Sequence, residues 1–192
     1  SQAVNFTMGE IETIGAYAFY NCSLVEYFNT TTQYKIEVPS TVTSIGTYAF
    51  NGLTLIKEVY VAELVESIGE AAFKGCNSIE KITLPFVGSK DGVEDYTSVF
   101  GYIFGYSRYQ SGYLTGSRTV SDKFINEKTG TTPSGTTWQF SNVYQYSSKY
   151  NEYHIYSYYY YVPQTIKEVV ITSDITIPAA AFNGCSFIEK IT

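Results

Sequence analysis

Val65-Glu66-Ser67-Ile68-Gly69-Glu70-Ala71-Ala72-Phe73-Lys74-Gly75-Cys76-Asn77-Ser78-Ile79-Glu80-Lys81-Ile82-Thr83-Leu84-Pro85 decides the fold, because its pattern recurs along the chain. Ile14-Gly15, Ala18-Phe19 and Asn21-Cys22 repeat its middle, and so do Ile45-Gly46, Ala49-Phe50 and Asn51-Gly52. Ala181-Phe182-Asn183-Gly184-Cys185, followed by Ile188-Glu189-Lys190-Ile191-Thr192, is a further copy. Phe50 to Phe73 and Ile45 to Ile68 each span 23 residues. A fixed period of this size marks a solenoid, in which each unit hides its apolar face only against its neighbours.

Within a unit, Ile79, Ile82 and Leu84 match Ile56, Val59 and Val61, and again Ile166, Val169 and Ile171. The last two of each triplet flank one residue, the period-2 mark of a strand buried on one face. Gly69 to Phe73 reads as a short helical turn on the opposite side of the coil, with Phe73 filling the core and Gly75 as a left-handed stop. Pro39 and Pro85 follow the strands, where no further ladder donor is needed. Cys22, Cys76 and Cys185 hold equivalent positions and are expected as small buried apolar side chains in a ladder. Leu53 fills the slot between Cys22 and Cys76, which leaves them about 10 Å apart, too far for a disulfide.

Three junctions break the period. Phe19 to Phe50 is 31 residues, and the excess is placed at Val25 to Thr32, with Asn29-Thr30-Thr31-Thr32 as an exposed loop. Asn29-Thr30-Thr31 also matches a glycosylation acceptor, a short pattern that is usually fortuitous. Near the C-terminal end, Val169 to Ile191 is 22 residues, with Pro178 expected to open the turn. The large departure lies between, where Ile82 to Val169 is 87 residues. Phe100 to Gly105 can place Phe104 in the slot of Phe73, leaving Tyr106 to Tyr161 as an insertion.

The insertion divides in two. Ser107 to Gly135 is rich in Ser, Gly and Thr and reads as loop with one short strand at Lys123 to Ile125. Trp138 to Ser141 and Tyr144 to Tyr146 alternate aromatic with polar, Ser147 to Glu152 is a turn, and Tyr153 to Tyr161 is a second strand. A β-hairpin is expected, projecting from the solenoid or folding back over it.

The pattern Ile-Gly-x-x-Ala-Phe-x-Gly-Cys-x-x-Ile-x-x-Ile-x-Leu-Pro, here Ile68 to Pro85, resembles the BspA-like branch of the leucine-rich repeat proteins. The likeness covers residues 11–85 and 164–192, and Leu84 to Ser89 with Phe100 to Gly105 is similar to a variant turn of such proteins from anaerobic bacteria. It implies an α/β leucine-rich-repeat solenoid with short parallel strands on one face and short helical turns on the other. It also implies a secreted or cell-surface life in adhesion or host interaction, and brings no catalytic residues. The expected organisation is repeats over 1–85, a variant repeat and Tyr-rich insertion over 86–163, and the same solenoid resuming over 164–192.

Twelve basic against eighteen acidic residues give a net charge of −6. That balance argues against nucleic acid or an anionic membrane surface as partner, since both need clustered Lys and Arg. Aromatics reach 17% against 16% charged residues, so hydroxyls and amides must carry much of the surface polarity, an extracellular style of surface. No apolar run approaches the roughly 20 residues that span a bilayer, so no membrane insertion is expected. The chain opens inside a repeat and stops just after a strand motif, and so reads as a segment of a longer protein. Neither end reads as a polar cap, which makes end-to-end self-association through terminal strands an expectation.

Candidate chemistry is sparse. His154 is the one histidine and sits among Tyr153, Ile155 and Tyr156, where a hydrogen-bonded strand residue is the expected role. Asp91, Glu94 and Asp95 form an acidic cluster whose spacing fits no calcium loop and reads as solvated. No phosphate loop, nucleophile elbow or zinc spacing is present, so neither cofactor, metal nor enzyme activity is expected. Fourteen of the twenty tyrosines lie between Tyr96 and Tyr161. Tyr gives a large rigid face with little entropy to lose, and neighbouring Ser and Gly give adaptable hydrogen bonding. Trp138, Tyr144, Tyr146, Tyr156, Tyr158 and Tyr160 are the expected ligand-binding residues. A non-enzymatic adhesion module gripping protein or glycan on a host or neighbouring cell is the leading reading, through this insertion or the sheet face. The alternative is a structural spacer in a larger surface protein, with the rings merely clamping a marginal hairpin onto the solenoid.

Overall fold

A computed structural model describes residues 4–93, 97–113, 140–146, 154–173, 177–178 and 181–192. Its strands are β1 (Val4–Phe6), β2 (Thr13–Ile14), β3 (Val25–Phe28), β4 (Lys35–Val38), β5 (Ser44–Ile45), β6 (Glu58–Val61), β7 (Ser67–Ile68) and β8 (Lys81–Leu84). After a short 3-10 helix at Phe100–Phe104 come β9 (Tyr106–Tyr113), β10 (Phe140–Tyr146), β11 (His154–Pro163), β12 (Glu168–Ile171) and β13 (Lys190–Ile191).

One strand from each coil joins a seven-stranded sheet in the order β1-β3-β4-β6-β8-β12-β13, and all its pairings are parallel. The register lines up Phe28, Ile36, Val59, Ile82 and Val169, each 0% exposed. Coil closure from strand to strand takes a whole repeat, which is how the chain meets the long crossover that parallel pairing demands. A second parallel sheet, which periodicity did not reveal, joins β2, β5 and β7 through Ile14, Ile45 and Ile68. The architecture is the expected leucine-rich-repeat solenoid.

On the turn side the backbones are also tied from coil to coil. Phe19 N–H donates to the Ala49 carbonyl at 2.7 Å, Phe50 to Ala72 at 2.8 Å and Phe73 to Ile103 at 2.8 Å. The last bond puts Phe104 in the slot after Phe73, so the variant coil at Phe100 to Gly105 is a repeat in disguise. Phe19, Phe50 and Phe73 form one column, their rings 5.5 and 5.3 Å apart and nearly parallel.

The expected helical turns are absent from the regular coils. Ala49 and Ala72 donate back three residues, to Gly46 and Gly69, and the residue before each, Tyr48 or Ala71, has φ of 55° or 57°. A positive φ inside the turn stops helical propagation, and chained β-turns result. The only helical segment among the described residues is the 3-10 helix of the variant coil.

The excess at the first junction is likewise more than a loop. Val25–Phe28 is strand β3, and Phe28 is fully buried between Phe6, Phe19 and Phe50. Only Asn29 to Tyr34 connect it to its parallel neighbour β4. Asn29, at φ 56°, makes that corner possible: its Oδ1 accepts from the Met8 N–H at 3.2 Å and its Nδ2 donates to the Glu37 carbonyl at 3.1 Å. An amide nitrogen already engaged in the fold is a poor glycosylation acceptor.

At Pro178 the expected turn is present, with the Ala181 N–H donating to its carbonyl at 3.1 Å. The end strands are open: β1 is exposed throughout, and Ile191 of β13 is 44% exposed.

Candidate functional site

Strands β9, β10 and β11 form a separate antiparallel sheet in the order β10-β11-β9. Residues 107–113, read from sequence as loop, are part of its third strand; the Lys123 to Ile125 strand, the Ser147 to Glu152 turn and Trp138 lie outside the described residues. A third strand matters because a lone hairpin is marginal in water.

The sheet is anchored at its base. Tyr160 and Val162 are 0% exposed and belong to the solenoid core. A methyl carbon added at Gly101 would lie 2.4 Å from the Tyr160 Cβ, so the 3-10 helix can approach β11 only because residue 101 has no side chain. Tyr160 is therefore a packing residue and not the open ligand contact expected of it; the cause is Gly101, 59 positions upstream.

The other four expected tyrosines do not share a face. Tyr144 pairs with Tyr159, and Tyr146 with Ser157, whereas Tyr158 pairs with Gln145 and Tyr109, and Tyr156 with Ser111. Strand residues alternate between faces and directly opposed residues share one. Tyr144 and Tyr146 thus fall on one face and Tyr156 and Tyr158 on the other, the register parity of Tyr160. Tyr159 pairs with Arg108 as well as Tyr144, a row that sequence reading passed over because β9 carried no strand signal.

The outer face of the long sheet carries a second arrangement. Lys35, Glu58, Lys81, Glu168 and Lys190 lie in register on successive strands, alternating in sign. Lys35 to Glu58 is 3.5 Å, Lys81 to Glu168 3.3 Å and Lys190 to Glu168 2.8 Å. Beside them Lys57 meets Glu80 at 3.1 Å and Lys167 meets Glu189 at 3.3 Å. Hydrogen bonds from Lys190 and Lys81 hold the Glu168 carboxyl below the ordinary glutamate range. Lys35 also lies over the Tyr60 ring, 5.9 Å from its centroid. Charges so paired are spent within the sheet.

The thiols are all free. Burial pushes Cys76 up to about 12, although backbone hydrogen bonds around Leu53 and Gly52 pull the other way, and its Sγ lies 3.1 Å from the Phe50 carbonyl. Cys185 is likewise pushed up to about 12 by burial. Cys22 departs from the expected buried ladder and is exposed, because no described coil packs on the outer side of its turn. His154 opens β11 opposite Tyr113. Asp91 is exposed, while Glu94 and Asp95 lie outside the described residues. Among the described residues no group of three or more His, Cys, Asp or Glu converges as a metal site.

A family model for the BspA-type leucine-rich repeat region matches six copies over residues 2–35 and 25–98. The chain belongs to this leucine-rich repeat family. Residues 164–192 lie outside the matched stretch, yet β12 and β13 continue the same sheet in register. No curated protein and no solved structure matches the chain. BspA-type repeats are surface or secreted modules, generally non-enzymatic, that mediate protein interactions. No helix among the described residues is long and apolar enough to cross a membrane.

Proposed function

We propose that the chain is a non-enzymatic adhesion module of a cell-surface or secreted protein. The repeats of 1–85 and 164–192 form a rigid mount, and the 86–163 region with its tyrosine-rich sheet grips protein or glycan on a host or neighbouring cell. One observation carries this reading. Lys81 pairs with Glu168 and Ile82 with Val169 in the register that Glu58 and Val59 use with Lys81 and Ile82. The long sheet runs past the insertion as if it were not there, so the solenoid's own stacking does not explain the extra sheet. Elements mounted on an indifferent scaffold are where binding sites are usually grafted. The absence of catalysis follows from the same side chains: thiols pushed to about 12 stay protonated and inert at neutral pH.

A screen of the whole chain against matrix proteins and glycans tests the reading, repeated with Tyr144 and Tyr146 replaced by Ala and with Tyr156 and Tyr158 replaced by Ala. Loss of a signal in either variant supports it.

The spacer reading draws on the paired charge rows, which leave the sheet face little to offer a partner, and silence throughout the screen would favour it. The open strands β1 and β13 support end-to-end self-association, for which light scattering at rising concentration should show dimers or longer chains.

A further inference from the structure

We infer that the face of the insertion sheet bearing Tyr144, Tyr159 and Arg108 takes a saccharide that carries a carboxylate. This deepens the adhesion reading and rests on it.

Three observations converge. Tyr144, Tyr159 and Arg108 are directly opposed across β10, β11 and β9, so their Cβ positions form one row at the separations of cross-strand neighbours. The row has the register parity opposite to Tyr160 and Val162, which are 0% exposed in the solenoid core. Its face is therefore the one turned away from the mount. Asn142 with Tyr161 flanks it on one side, and Tyr146, Ser157 and Gln110 on the other. Beside the row, β9 slips by one residue: Tyr159 pairs with Arg108 but Tyr160 with Tyr106, leaving Ser107 as a bulge. Bulges re-aim side chains and are frequent at binding sites.

Charge separates this region from the rest of the molecule. Residues 106–163 carry five basic and three acidic side chains, a net of +2, and the remainder seven and fifteen, a net of −8. Both arginines of the chain are in the positive part. Arginine presents a planar fork that matches a carboxylate with two parallel hydrogen bonds. Tyrosine on either side offers flat apolar faces, and Asn, Gln and Ser offer the amide and hydroxyl partners that sugar hydroxyls need. A ring with a carboxylate and several hydroxyls uses all of these groups. An acidic peptide would use the arginine and leave most of the tyrosine and amide groups without a counterpart.

The test titrates the whole chain with 3′-sialyllactose, a galacturonate oligomer, lactose and an oligoglutamate peptide, with thermal melts confirming that each variant is folded. One of the two acidic sugars should bind about ten- to a hundredfold tighter than lactose, the range of a charge-assisted hydrogen bond. Which of them does so tells a sialic from a uronic acid. Arg108→Gln should erase that ratio and leave lactose binding unchanged, Arg108→Lys should retain part of it, and Tyr159→Ala should weaken both sugars. Tyr156→Ala, on the alternate face, should change neither. Equal binding of lactose and the acidic sugars, a ratio that survives Arg108→Gln, or preference for oligoglutamate would overturn the inference while leaving adhesion standing. Binding of none of the four probes, together with a silent matrix-protein screen, would remove the adhesion reading as well.

Discussion

Gly69 approaches Thr47 so closely that a methyl carbon on Gly69 would lie 2.3 Å from the Thr47 amide nitrogen. Gly46 stands in the same relation to Ala16, again at 2.3 Å, whereas Gly15 has nothing within 4 Å. The glycine that follows Ile in every regular unit is thus explained by backbone meeting backbone between consecutive coils. No positive φ is involved at these positions.

Gly69→Ala should therefore cost about 3 kcal/mol, the upper end for forcing a methyl into a filled space, because the neighbour is backbone and cannot swing aside. Gly15→Ala should change stability by less than about 0.5 kcal/mol. Thermal melts of the two variants beside the parent check the contrast, and equal effects would contradict the stacking geometry.

Phe50 stacks between Phe19 and Phe73 at 5.5 and 5.3 Å and is fully buried. Phe50→Ala should cost about 3–5 kcal/mol. Phe19→Ala should cost distinctly less, since Phe19 is only partly buried at the edge of the column. Denaturant unfolding reads both.

The native protein should present one thiol to a small alkylating reagent at pH 8 and three once unfolded. Cys22 is exposed, whereas Cys76 and Cys185 are buried and pushed to about 12, so the reactive thiolate is scarce in both. Mass spectrometry of timed labelling identifies the sites, and rapid native modification of Cys76 would contradict the packing.

Glu168 joins Lys81 and Lys190, so Glu168→Lys should place three cations side by side and lower stability, with most of the loss recovered at high salt. The pH dependence has a definite sign. Because the native carboxyl sits below its unfolded value, the stabilisation is present above the unfolded value and is lost as pH falls through the native one. The stability gap between the parent and Glu168→Gln should accordingly narrow on acidification.

What could be read from the sequence was whatever repeats. The 23-residue spacing places the Phe column, and the Phe104 slot follows from continuing it. Features that depend on a single partner elsewhere were not legible. Nothing local separates Tyr160 from Tyr158; the space for its ring is made by Gly101. Strand β3 buries Val25 and Phe28, three apart, and so lacks alternation. Strand β9 is rich in polar residues and draws its place from β11. The left-handed corners at Tyr17 and Tyr48 fall on a residue type that rarely signals them. In the candidate site, the richness in tyrosine was evident, but the division of those rings between two faces needed the register.

The alternation Lys35, Glu58, Lys81, Glu168, Lys190 sets a rule for how such an array can lengthen or shorten. Excising a single unit brings two lysines or two glutamates opposite one another, and duplicating one does the same. Excising or duplicating two adjacent units restores the order. Gain and loss by pairs is therefore the electrostatically quiet path for this solenoid, and its unit of inheritance is a doublet.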